Sequence, residues 1–225
     1  VNVLVTQAFY ALGAGGTIVC AQYLGQGKVR RAVHGAEQTL FIVTLISLVT
    51  AAVFIVFDRP ILRLIFGTVD QDVFAASRTY LFFSALSYPF IALYDSGSSV
   101  FRAQERTGFP MAMSALANVV NILGNVLLVL WLDFGVGGAA VSTLFARALC
   151  AFLVLYRLSQ ERPDQKITVK HYFRIRPCAP LIKKILHIGI PSGIENGMFQ
   201  FGKLAIQSSI STLGVSAMAA QAMAA

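Results

Sequence analysis

Long apolar runs separated by short basic segments dominate the pattern of this chain. Residues 1–24 carry no charge, 38–57 lie between Glu37 and Asp58, and 79–101 are interrupted only by Asp95. Residues 111–132 follow Pro110, 136–156 contain only Arg147, and 185–213 contain Glu195 and Lys203. A helix crosses the hydrocarbon core of a bilayer in about 20 residues, so the pattern predicts six membrane-spanning helices. The uncharged residues 215–225 read as the opening of a seventh. None of the runs alternates in the manner of a barrel strand, and backbone groups in lipid must be paired internally, which leaves helices.

Composition agrees with this class. Of 225 residues, 56% are hydrophobic and 12% charged, where a soluble domain carries about 25% charged residues. The net charge of +8 invites a nucleic-acid reading, but the basic residues sit between apolar runs, as they do at the cytoplasmic ends of membrane spans. The loops after the first, third and fifth runs hold 13 Lys and Arg, and those after the second and fourth hold 3, which puts the first set in the cytoplasm and Val1 at the outer face. A chain that begins outside, within an apolar run and without Met, and ends within another is expected to be an internal piece of a longer transporter.

The longest connection, 159–184, carries Pro163, Pro177 and Pro180 and many charges, and is read as a cytoplasmic hinge. The domain expectation is therefore a five-span bundle over 1–158, an inter-lobe linker over 159–184 and the start of a second lobe over 185–225. Within the linker, 171–186 is read either as an interfacial helix or as a solvated tether near anionic lipid. On the outer side, 61–76 is read as a short amphipathic turn.

Enzyme classes find no support. GQGKVR lacks the spacer and the Ser/Thr of a phosphate-binding loop, and LDFG stands without the other kinase motifs. Asp95 and Asp133 fall at opposite membrane faces, so they cannot form a protease dyad. The serines of DSGSS have no histidine base in a neighbouring span, since His34, His171 and His187 lie in or near loops. Cys20, Cys150 and Cys178 are far apart and form no metal-ligand pattern; Cys20 and Cys150 read as small buried hydrophobes.

Five stretches are specific: AQYLGQGKVRRA after the first span, VFRAQERTGFPM after the third, ANVVNILGNVLLV in the fourth, GVGGAAVSTLFAR opening the fifth and IGIPSGIENGMFQFGK in the sixth. Through them the chain resembles the multidrug and toxic compound extrusion (MATE) family of secondary transporters, from Val1 to Ala225. The resemblance implies an all-α integral membrane bundle, carrying the second to sixth spans of the first lobe and the seventh span of a twelve-helix, two-lobed transporter. It implies a Na+- or H+-coupled antiporter that exports organic cations or drugs across the plasma membrane by alternating access, with a small-molecule substrate and the bilayer as partners. No cofactor, nucleic acid or obligatory protein partner is expected. The alternatives are a flippase of lipid-linked saccharides from the same superfamily, which calls for a more cationic cavity, and a membrane scaffold without transport.

Ionisable residues inside spans are costly unless paired or hydrated, so Asp95, Arg147, Glu195 and Lys203 are site candidates by position. Asp95 is read as a coupling or substrate carboxylate, and Arg147 as its ion-pair partner or that of Glu37. Glu195 and Lys203, eight positions apart on one helix face, are read as a possible pair. The resemblance further implies a cation site built from an acid in the family's first span, Asn-x-x-x-Asp in the fifth and Thr in the sixth. Asn121 matches that Asn and Thr143 the Thr, while Asn125 occupies the Asp position, and an amide takes up no proton at physiological pH. A recurring acidic group in the seventh span of the family points to Glu195. Metal is not expected beyond a coupling Na+. Pro89 and Pro191 each remove an intrahelical hydrogen bond and are hinge candidates. The small patches Gly13–Gly16 and Ser96–Ser99 are read as close-packing surfaces.

Overall fold

The computed structural model describes residues 2–58, 60, 71–131, 135–161, 165–169 and 177–211. Among these are six long helices: α1 (Asn2–Gly25), α2 (Val29–Val56), α3 (Gln71–Ala103), α4 (Gly108–Asn125, continued by a π-helical turn over Val126–Trp131), α5 (Gly135–Ser159) and α6 (Ala179–Ser211). Each expected span coincides with one of them. The expected start of a seventh at 215–225 lies outside the described residues.

The helices outrun the apolar segments that announced them. α2 begins at Val29 rather than 38, because its first turns carry Arg30, Arg31, His34 and Glu37 beyond the apolar stretch while the backbone remains hydrogen-bonded. Residues 71–76, expected in an outer amphipathic turn, open α3, and 61–70 lie outside the described residues. The interfacial helix expected over 171–186 does not stand apart: 179–186 are the first turns of α6, and 171–176 lie outside the described residues. Pro89 and Pro191 both sit inside continuous helices.

α1 and α3 occupy the centre. α3 packs against α1, α2 and α5; α1 packs against α2, α3 and α6; α4 leans on α5. Position explains composition here. α2, α4 and α5 are long and apolar enough to cross a membrane by themselves, over Val29–Val56, Gly108–Val129 and Gly137–Ser159. The central α1 and α3 face other helices as much as lipid and carry Gly and Ser instead, which brings backbones close where no hydrophobic force draws helices together. A methyl group added at Gly15 would stand 2.7 Å from the Ile185 carbonyl oxygen and 2.9 Å from the Gly189 nitrogen of α6. Gly16 leaves room for Thr39 of α2, and Gly97 for Val154 of α5. The side chains of Ser96 and Ser99 return hydrogen bonds to their own helix, to the carbonyls of Ala92 and Ser96, so the two patches serve packing.

Two turns at the basic end are built alike. After α1, Gly27 adopts φ 71°, with Gly27 N donating to Leu24 O at 3.0 Å and Lys28 N to Tyr23 O at 2.9 Å. After α3, Glu105 adopts φ 62°, with Glu105 N donating to Arg102 O and Arg106 N to Phe101 O, both at 3.0 Å. Both are Schellman endings, which satisfy the last carbonyls of a helix through one left-handed residue.

The same end holds a core of Cys20, Ala36, Leu40, Val100, Phe101, Val154 and Leu158, and the connection contributes Ile167 and Val169 to it. Gln104 Oε1 accepts from the backbone N–H groups of Lys166 and Ile167, both at 2.9 Å, and Val169 N donates to Leu158 O at 3.1 Å. Residues 165–169, read from sequence as part of a cytoplasmic hinge, are thus strapped across the base of the first bundle. Further on, Cys178 N donates to Gln38 Oε1 at 2.9 Å, fixing the entry to α6.

Candidate functional site

An open cavity of about 260 Å³ lies along the seam of α3, α4 and α5 beside α1, with Asp95, Arg147, Asn118, Ser114, Tyr94 and Thr6 in its lining. Two opposite charges thus face one space within the apolar part of the bundle. They do not form the expected ion pair. Arg147 Nη1 donates instead to Ser87 Oγ at 2.8 Å, and Glu37, the other expected partner, is held by His34 Nδ1 at 3.1 Å. The helical repeat explains the first choice: Ser84, Ser87, Ile91 and Asp95 follow one another along one face of α3, so Ser87 lies two turns from the carboxylate and farther from the basic end. Tyr94 closes the cavity on another side, its hydroxyl donating to Pro110 O at 3.1 Å.

One turn further along the same seam, the three residues singled out on α4 and α5 come together. Asn125 Nδ2 donates to Asn121 Oδ1 at 3.1 Å, Asn121 Nδ2 donates to Thr143 Oγ1 at 3.0 Å, and Thr143 Oγ1 donates to Ala139 O at 2.8 Å. Ser142 Oγ adds a bond to Asn121 O at 3.0 Å. The chain ends on an oxygen, since Asn125 Oδ1 is buried and, among the described residues, has no hydrogen-bond partner. Asn118 is three positions from Asn121, and Arg147 four from Thr143, so the amide chain and the charged cavity occupy adjacent turns of one groove. Gly124 and Gly138 make that groove narrow: a methyl at Gly124 would run into Ser142, and one at Gly138 would stand 3.0 Å from Leu128 O. The π-helical turn starts directly after Asn125.

The remaining candidates do not join this groove. Glu195 and Lys203 are exposed on α6 and form no ion pair with each other. Lys203 Nζ lies 5.1 Å from the centre of the Phe199 ring. Glu195 follows Pro191 by one turn, as the spacing predicts. Sequence reasoning passed over Ser87, although its place two turns before Asp95 on a serine-bearing face is a signal of shared surface. It also passed over Gln104 and Gln38, whose partners lie far away in the chain and leave no local trace.

The MatE family model matches residues 1–127. The uncharacterized transporter YisQ of Bacillus subtilis is 25% identical over 96% of the chain and 47% of its own length. The probable multidrug resistance protein NorM of Thermotoga maritima is 25% identical over 93% of the chain and 45% of its own length. The chain spans about half the length of these curated relatives. The solved structure of the Vibrio cholerae MATE transporter VcmN in the bent form superposes with a TM-score of 0.83 over 99% of the chain and 49% of that protein, at 21% identity, which establishes a likeness of fold.

Proposed function

The chain belongs to the MatE family of integral membrane transporters, which are not enzymes, and on that premise we propose that it supplies the first-lobe groove of a cation-coupled antiporter exporting organic cations or drugs. The observation that carries this reading is the Asp95–Arg147 cavity: both groups line it while Arg147 is hydrogen-bonded to Ser87, so no salt bridge at contact distance neutralises Asp95, which keeps Arg102 and Arg147 only at electrostatic range and can take up a cation. A carboxylate in low dielectric attracts an organic cation or a coupling ion far more strongly than it would in water. Arg147 opposes this attraction enough to make binding reversible, and alternating access requires release as much as capture.

The amide chain suits a different part of the work. Asn125 Oδ1, Asn121 Oδ1 and Thr143 Oγ1 are neutral oxygens, the donor set that Na+ accepts and a proton does not use at physiological pH. In this reading, Na+ at the amide chain or H+ at Asp95 enters from outside and favours the state that releases substrate outward. The membrane potential alone contributes about 2.3 kcal/mol per charge per 100 mV. The plasma membrane is the location this role requires.

The test is efflux of a fluorescent organic cation from cells expressing the full-length protein, with sodium and proton gradients dissipated in turn. Efflux should stop when the coupling gradient is removed, and Asp95→Asn should abolish it with membrane expression intact. Export that proceeds without either gradient, or is unchanged in the Asn variant, overturns the reading.

A further inference from the structure

A second cavity, of about 370 Å³, opens at the basic end where α1, α2 and α6 meet. Its walls carry Arg31 and His34 from the first turns of α2 and Lys184 from the first turns of α6, over a floor of Tyr23, Pro180 and Leu181. Lys184 Nζ stands 4.9 Å from the centre of the Tyr23 ring, and both residues line the cavity. His34 is turned to Glu37 and lines the space as a polar group. Among the described residues, neither Arg31 nor Lys184 is paired with a carboxylate. Two exposed cations on one concavity, with Glu37 held aside by His34, make a local positive potential that attracts an anion.

We propose that this cavity binds a phosphate-bearing anion, held between the guanidinium of Arg31 and the ammonium of Lys184. An arginine fork matches two phosphate oxygens, and a lysine contributes a point charge to a third. The volume equals that of about a dozen liquid waters, ample for a phosphate with its glycerol or headgroup substituent. The site lies at the ends of the spans, where the headgroups of the cytoplasmic leaflet run under the positive-inside orientation, and its apolar floor suits the glycerol region of a lipid. The source is an acidic phospholipid or a soluble phosphate. Arg31 belongs to the first bundle and Lys184 to the helix beyond the linker, so an occupant joins the two.

The experiment places the full-length protein in nanodiscs of phosphatidylcholine with and without phosphatidylglycerol, and compares thermal midpoints and lipid retention by native mass spectrometry. Phosphatidylglycerol should raise the midpoint and be retained by the wild type. The Arg31→Gln/Lys184→Gln variant should lose both effects, with affinity falling about five-fold per cation removed, and Lys183→Gln, outside the cavity lining, should keep them. The readout is the difference between lipids within each variant, so a general loss of stability does not imitate the result. If inorganic phosphate in phosphatidylcholine discs reproduces the shift in the wild type and not in the double variant, the occupant is a soluble phosphate and the shared chemistry stands. Equal midpoints in both lipids without a phosphate effect, or a lipid difference that survives in the double variant, overturns the proposal.

Discussion

Arg147 donates its hydrogen bond to Ser87 and not to Asp95, although carboxylate and guanidinium line the same cavity. In the proposed antiport role, Ser87 would set whether the carboxylate is neutralised by Arg147 or stays available to a cation. Ser87→Ala removes the acceptor and frees Arg147 to pair with Asp95. Apparent affinity for a cationic dye should fall about ten-fold, the equivalent of about 1.4 kcal/mol, in reconstituted transport. An unchanged KM would mean that the arginine does not compete for the carboxylate. Ser87→Thr keeps the hydroxyl and should retain most of the affinity.

Asn125 ends the amide chain with an unpartnered oxygen. Asn125→Asp replaces it with a group that titrates, so the variant should acquire a pH dependence of coupled efflux in the acidic range that the wild-type amide cannot produce at that position. The measurement is a pair of pH profiles at fixed sodium gradient. Superimposable profiles would remove this position from the coupling path.

The six long helices were legible in sequence as runs almost free of charge, and among the described residues α2, α4 and α5 also meet the length and apolarity that lipid imposes. The association of Asn121, Asn125 and Thr143 was legible only through the family pattern, since nothing local says that positions 22 residues apart will share a hydrogen bond. Ser87 was missed for the same reason in reverse, being a tertiary partner without a motif. The strap at 165–169 did leave a trace, with Gln165, Ile167 and Val169 buried in alternation between exposed Lys166 and half-buried Thr168. A period of two inside a charged, proline-bearing connection is masked by its surroundings. The α1–α2 turn could be read from Gly27, whereas its counterpart could not be read from Glu105, an unusual residue for a left-handed backbone.

That contrast gives a stability prediction of opposite signs. A non-glycine residue at positive φ costs roughly 1 kcal/mol against glycine. Glu105→Gly should therefore raise the thermal midpoint in detergent, and Gly27→Ala should lower it by a comparable free energy. The space around Gly27 is open, so the second effect reports backbone conformation without a clash. A fall in both variants would show that the Glu105 side chain contributes more than its backbone strain removes.

The strap can be released by a substitution just beyond the end of α3. Gln104 Oε1 is the acceptor for two consecutive backbone N–H groups, and Gln104 Nε2 returns a bond to Val100 O at 3.2 Å, so the side chain is held at both ends. Gln104→Ala leaves the two strap donors without that acceptor, at a cost of about 1–3 kcal/mol for each that stays buried. Ile167 and Val169 cannot leave their core separately from those donors, so the whole segment should open as a unit. Limited proteolysis should then cut within 160–178 much faster than in the wild type, while Gln104→Glu, which keeps a carbonyl-type acceptor at the same reach, should protect the segment. Equal cleavage of the Ala variant and the wild type would mean that the apolar pair alone anchors the connection.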